Sequence, residues 1–230
     1  MRETARSASG RGQMIEHHLD DDMLQQYAAG TLAEGWSVAV ATHLALCPAC
    51  RSKLSMLESV GGYFIDSEPA DEAAVSQSWE SLKAKIDAGQ IDKVVPIKKG
   101  SSSDHTYPQP LRTYIDAAGG LKWRQLGRGA AQMMIPTSDE TTTVRLLKIP
   151  AGQPVPEHSH RGVELTLVLD GSFSDEVSRF ERGDVEMADD SLAHQPKADA
   201  GRDCICLAVT EAPLRFKSRF LRLIQPILGI

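Results

Sequence analysis

No stretch of this 230-residue chain gathers the ~18 consecutive apolar side chains that a membrane-spanning helix requires. The first residues also lack the apolar core of a secretory signal. Both absences lead to the expectation of a cytoplasmic protein with no membrane association. Cysteine is scarce, with only Cys47, Cys50, Cys204 and Cys206. In a reducing compartment such thiols serve as metal ligands or redox groups rather than as structural disulfides. Internal repeats are absent. Cations are sparse over residues 14–90, where 12 Asp and Glu stand against 4 Lys and Arg, although residues 91–230 balance at 18 and 18. Such an acidic surface repels phosphates, so direct nucleic-acid binding is excluded and a basic protein is the better partner. What remains is an ordinary soluble composition, 41% apolar and 24% charged, long enough for one large or two small domains.

In chain order, residues 1–13 are polar, dotted with arginine and aperiodic, and read as a disordered tail. A first helix is expected over 18–30, with Asp20, Asp21 and Asp22 in its first turn and Gly30 at its end. Thr31 and Glu34 have capping-box spacing and predict a second helix to Leu46, with Trp36, Val40 and Leu44 on one face. Pro48 suits the first position of a third helix, and Gly61-Gly62 is expected to stop it. The cleanest helical period is Val75, Trp79, Leu82 and Ile86, capped by Asp71 and stopped by Gly89; this amphipathic helix must dock either on its own domain or on a partner. Residues 91–110 are rich in Lys, Ser and Pro and read as a linker. From residue 111 the texture changes to short β-rich runs, QMMI, TTTVRLLKI, VELTLVL, DVEMA and CICLAV, which favour a sandwich or barrel over 111–213. Residues 214–230 mix cations with apolar residues in no segregated pattern, and are expected to pack on the barrel rather than on a lipid surface. The fold class is therefore multi-domain, α plus all-β.

Two clusters carry the chemistry. His43 and Cys47 lie four apart on a predicted helix and point the same way, while Cys50 enters at the start of the next helix, where backbone N–H groups favour thiolate. A histidine from His17-His18 completes a His2Cys2 set, which suits closed, tetrahedral zinc; His18 is nearer the helix start, but spacing alone does not choose between the two. These residues resemble the zinc-binding anti-sigma domain, an upstream His followed by H-x3-C-x2-C, with His18, His43, Cys47 and Cys50 matching position for position. The runs YAAGTL and VATHL are similar to those of ChrR-type anti-sigma factors. The resemblance implies that residues 14–90 form a small helical zinc domain that wraps an extracytoplasmic-function sigma factor as a one-to-one heterodimer and keeps it from RNA polymerase.

The second cluster is Gly152-x5-His158-x-His160-x3-Glu164-x6-Gly171, followed by Gly183 and, eleven residues on, His194. His158 and His160 alternate on an extended segment and share a face. The pattern resembles the two cupin motifs, although Asp189 and Ser191 replace the usual Pro and Gly of the second. It implies a metal held by His158, His160, Glu164 and His194 inside a jelly-roll-like barrel. Three imidazoles and a carboxylate suit Zn2+, Fe2+, Mn2+ or Ni2+ alike. Cys204 and Cys206, two apart on a strand, are core thiols, a redox pair or accessory ligands. The ChrR resemblance implies a non-enzymatic switch in which the cupin senses singlet oxygen or peroxides and releases the sigma factor. The rivals are a dioxygenase-like cupin metalloenzyme with an attached zinc module, and a zinc-stabilised adaptor unrelated to sigma factors.

Overall fold

The computed structural model describes residues 14–69, 71–89 and 106–212, with the backbone of 215–216. The tail 1–13, most of the linker and most of 214–230 lie outside the described residues. Among the described residues there are five helices: α1 (Asp21–Ala28), α2 (Glu34–Leu46), α3 (Pro48–Ser67), α4 (Glu72–Asp87) and α5 (Gln109–Ala117). They are followed by β1 (Arg124–Gly127), β2 (Ala130–Ile135), β3 (Thr143–Ile149), β4 (His158–Ser159), β5 (Glu164–Asp170) and β6 (Ser172–Ser174). The remaining strands are β7 (Arg179–Glu181), β8 (Val185–Ala188), β9 (Ala193–His194), β10 (Lys197–Ala198), β11 (Cys204–Thr210) and β12 (Arg215–Phe216). All five sequence-predicted β runs are strands; α5 was unforeseen and begins inside the stretch read as linker.

The strands form a six-stranded antiparallel sheet in the order β1-β2-β3-β11-β5-β8, and two three-stranded sheets, β10-β6-β7 and β12-β4-β9. Side chains from all three sheets line a single cavity of about 590 Å3, so the sheets enclose one barrel interior. Register does much of the positioning. His158 pairs directly with His194 across β4 and β9, and Glu164 opens β5 opposite Thr210 of β11. Gly171 follows β5 at φ +71°, and a Cβ there would collide with the Asp203 carbonyl, so this turn accepts only glycine.

By contacts the chain divides into two compact units. The first comprises residues up to Leu54 together with those from Thr106 onward; the second runs from Ser55 to His105. Both candidate ligand clusters therefore belong to the first unit, although the sequence texture changes between them. Within that unit α2 packs on α1, α5, β5 and β11. That environment explains its composition: Gly35, Trp36, Val38, Ala39, Val40, Thr42, His43 and Leu44 are all buried, not merely one stripe. At Gly35 the helix comes close to the barrel, since a Cβ there would overlap Thr142 Oγ1 and lie 2.8 Å from Val144 Cγ2.

Two helix expectations are corrected. Thr31 and Glu34 form no capping box: the α2 N-cap is Ala33, without a side-chain bond. Tertiary partners take the Glu34 carboxylate instead, the Tyr114 hydroxyl donating at 2.7 Å and the backbone N–H and hydroxyl of Ser138 also donating. Gly61-Gly62 does not stop α3, which continues to Ser67. A mid-helix glycine costs only ~1 kcal/mol relative to alanine, and nothing at this pair imposes a left-handed turn. Asp71 does cap α4, accepting from the Ala73 and Ala74 N–H groups at 3.1 Å, and Gly89 leaves the helix at φ +63°.

The second unit exposes its apolar residues. Val75, Trp79, Leu82 and Ile86 of α4 are 50–60% accessible, and Met56, Val60, Tyr63, Phe64 and Ile65 of α3 are exposed as well. No helix among the described residues is long and apolar enough to cross a membrane.

Candidate metal centres

At the first cluster, α2 presents His43 from its last turn, Cys47 caps its C-terminus, and α3 presents Cys50 from its first turn. His18 comes from the extended segment before α1. The four potential ligand atoms lie within 4.8 Å of one another. His18 Nδ1 stands 3.2 Å from Cys47 Sγ and 3.6 Å from Cys50 Sγ, and His43 Nε2 is 3.2 Å from Cys50 Sγ. Ligand bonds of ~2.0–2.3 Å at tetrahedral angles place N and S about 3.5 Å apart, so the set has the dimensions of a four-coordinate divalent ion. His17 points elsewhere: its ring lies 4.5 Å from that of Phe180 and its Nε2 is 2.9 Å from Ser178 Oγ.

The electrostatics support the same reading. Burial, with Cys47 adjacent, pushes the Cys50 thiol up to about 11, so a thiolate here needs a cation beside it. Burial lowers His43 to about 4, leaving a neutral ring. Its Nδ1–H donates to the Gly183 carbonyl at 2.9 Å, which fixes the tautomer and turns the Nε2 lone pair toward the cluster. Three of the four ligands are buried, and only His18 is exposed.

At the second cluster His158, His160 and His194 converge, and their ring atoms also lie within 4.8 Å of one another. His160 Nε2 and His194 Nε2 are 3.1 Å apart. Each ring has an oxygen near its Nδ1. His158 Nδ1 donates to the Pro156 carbonyl at 2.9 Å, and His194 Nδ1 lies 3.0 Å from Asp175 Oδ2 and 3.1 Å from Glu186 Oε1. His160 Nδ1 is 3.4 Å from Glu164 Oε2. The structure therefore brings three imidazoles together and places Glu164 against one of them, outside the group of converging atoms. Burial would raise the Glu164 carboxyl, but the close approach of His160, the charge of His158 and the Thr166 hydroxyl, which donates to Oε1 at 3.1 Å, outweigh it and keep that carboxyl low. Converging imidazole nitrogens braced from behind suit a divalent metal.

Sequence reasoning missed Asp175, Glu186 and Arg145. Glu186 and Arg145 line the cavity, and Arg145 is only 5% exposed. Burial pushes Glu186 up to about 7. The one available signal was Glu186 in DVEMA: a strand apolar at Val185 and Met187 carries its carboxylate on the opposite face, and in a closed barrel that face is interior. Cys204 and Cys206 face the same cavity with their sulfurs 3.5 Å apart.

Residues 112–213 match the ChrR Cupin-like domain family. The anti-sigma-E factor ChrR of Cereibacter sphaeroides is 47% identical over 217 residues, spanning 94% of this chain and 99% of that protein. A crystal structure of Rhodobacter sphaeroides SigE in complex with the anti-sigma ChrR matches over 86% of this chain and 99% of the other, with 42% identity and a TM-score of 0.70. With likeness at that level running through both the helical and the barrel halves, the chain belongs to the family of ChrR anti-sigma factors.

Proposed function

We propose that this protein is an anti-sigma factor that binds an extracytoplasmic-function sigma factor one to one, with no enzymatic turnover, and lets it go when the barrel registers an oxidative signal. The observation that carries the first half is the exposed apolar surface of α3 and α4. Five large side chains of α3 and four of α4 face solvent on a segment that a stable monomer would otherwise bury. That surface lies within residues 14–90, where acidic residues outnumber basic ones three to one, so apolar contact and charge both fit a basic protein. The relative crystallised with SigE is similar over almost its whole length, which supports the same class of partner here.

In this reading His18, His43, Cys47 and Cys50 hold zinc, whose role is to pin the segment before α1 to the α2–α3 corner. The His158, His160 and His194 cluster, with Glu164 beside it, holds Zn2+, Fe2+ or Mn2+ and is the receiver of the signal, singlet oxygen or a peroxide. Cys204 and Cys206 are candidate thiols in the same cavity.

The test is co-expression with a SigE-type sigma factor. The full chain is expected to co-purify with it, and Trp79→Glu/Leu82→Glu and His43→Ala/Cys47→Ala each to lose it; retention by both variants refutes the inhibitory half. With zinc in excess, so that the Cys/His cluster stays filled, His158→Ala/Glu164→Ala is expected to keep the sigma factor bound and to abolish induction by singlet oxygen. Unchanged induction refutes the sensing half.

A further inference from the structure

The two ligand clusters are joined by a step of only four residues. The Gly183 carbonyl accepts the Nδ1–H of His43, a ligand of the Cys/His cluster, at 2.9 Å. Asp184 follows. Its Oδ1 receives the backbone N–H groups of Glu16 at 2.7 Å and His17 at 3.0 Å, and its Oδ2 receives that of Glu181 at 2.8 Å. Val185 donates its N–H to the His17 carbonyl at 3.1 Å. Glu186 reaches the other way, to His194 Nδ1 at 3.1 Å, and His194 belongs to the imidazole cluster. Residues 183–186 thus touch one ligand of each cluster, His43 by a hydrogen bond and His194 by a close ion-pair approach, and the segment that ends in His18 is hydrogen-bonded along them.

This stretch has little freedom to move. Gly183 sits at φ +95°, and a Cβ there would meet Ile15 Cδ1 at 2.5 Å. Its N–H donates to the Val168 carbonyl at 2.8 Å, and Val168 N–H donates to the Asp184 carbonyl at 3.1 Å. β5 is thereby tied to the same turn, and β5 begins with Glu164, the partner of His160. Close-packed elements transmit a displacement instead of absorbing it.

We propose that β8 and the turn before it couple the two metal clusters, so that an ion at one raises the affinity of the other. An ion on the imidazoles fixes His194, and through Glu186 it fixes β8. The Gly183 carbonyl and the 15–18 segment are then already placed when the Cys/His cluster closes, and less ordering remains for the second ion to drive. Coupling of binding is reciprocal, so filling the Cys/His cluster must favour the imidazole cluster by the same factor. The inference does not depend on a sigma factor and stands or falls apart from the function proposed above.

The test uses the full chain with Co2+ as the probe. The titration is run in a Cys204→Ser/Cys206→Ser background, because those thiols line the cavity of the imidazole cluster; thiolate-to-cobalt absorption against a competing chelator then reads Cys47 and Cys50. His158→Ala is expected to weaken Co2+ binding at the thiolates by a factor in the range of about 5–150. Glu186→Gln, which leaves all three imidazoles in place, is expected to weaken it in the same direction. Cys47→Ser is expected to weaken the imidazole cluster, read from the cobalt bands that lack thiolate character, by the same factor as His158→Ala weakens the thiolates. Unequal factors in the two directions overturn the proposal, because general loosening of the fold need not be reciprocal. If a variant fails to fold, the background chain, with both clusters intact, decides. Its thiolate titration must be cooperative with entry of the second equivalent, and an isotherm of one independent site overturns the coupling.

Discussion

Gly30 and Gly171 share a left-handed backbone, at φ +68° and +71°, and differ in what surrounds them. Nothing lies within 4 Å of a Cβ on Gly30, whereas one on Gly171 runs into the Asp203 carbonyl. Gly30→Ala is therefore expected to cost only the ~1–2 kcal/mol of the left-handed conformation, and Gly171→Ala distinctly more, because backbone cannot step aside. Urea denaturation of the two variants checks the order. The histidine pair shows the same dependence on surroundings. His17 and His18 have equal claims by spacing, and what separates them is the turn at 183–185, some 165 residues away, which holds the 16–17 backbone so that His17 lies on Phe180. His43, Cys47 and Cys50 were legible because a helical turn and a helix start bring them together locally. Asp175 was not, and Glu186 was legible only as an inward-facing carboxylate, because their approach to His194 depends on which strand ends meet.

Among the elements, α2 shows propensity and packing in opposition. Alanine exceeds glycine in helix propensity by ~1 kcal/mol, so Gly35→Ala would stabilise an isolated helix. Here the added methyl overlaps Thr142 and crowds Val144, and the α2–barrel contact is expected to loosen. A lower midpoint of thermal unfolding, despite the better helix former, is the predicted outcome. The same contact should respond to acid. Burial would raise the Asp139 carboxyl, but hydrogen bonds from Gly35 N–H, Thr142 and Thr141 outweigh it and hold it at about 2, below its ordinary 3.8. A depressed carboxyl contributes stability above about pH 4 and loses it as pH falls toward 2. Asp139→Asn should flatten that part of the stability-versus-pH curve relative to wild type, measured as denaturant midpoints between pH 5 and pH 2. The sequence revealed α4 fully, cap, stripe and stop, because all its determinants are local. It misled at Thr31–Glu34, where the tertiary partners Tyr114 and Ser138 claim the carboxylate a capping box would use.

At the scale of the whole molecule, both ligand clusters share one compact unit, while the exposed apolar helices begin a second at Ser55. The change of texture between residues 90 and 110 was legible as composition. The inclusion of α1 and α2 with the barrel was not, and its only trace was a second helix too apolar on every side to be half-solvated. If the partner is basic, its grip should combine apolar contact with charge. Raising salt from 0.05 to 0.5 M is expected to slow association with little change in dissociation, measured by surface binding kinetics.

The thiols in the barrel carry a kinetic consequence. The hydrogen bond from Cys204 and burial push the Cys206 thiol well above its ordinary range, so at neutral pH it is protonated and a poor nucleophile. Iodoacetamide, which needs thiolate, should label Cys204 and Cys206 in the folded chain far more slowly than in 6 M guanidinium, as followed by mass spectrometry. A cavity of about 590 Å3 walled largely by apolar side chains would then act as a filter by partition. Bulk water-soluble oxidants would meet unreactive sulfur, and only a species that dissolves into the barrel would meet both thiols and the imidazole cluster at close range.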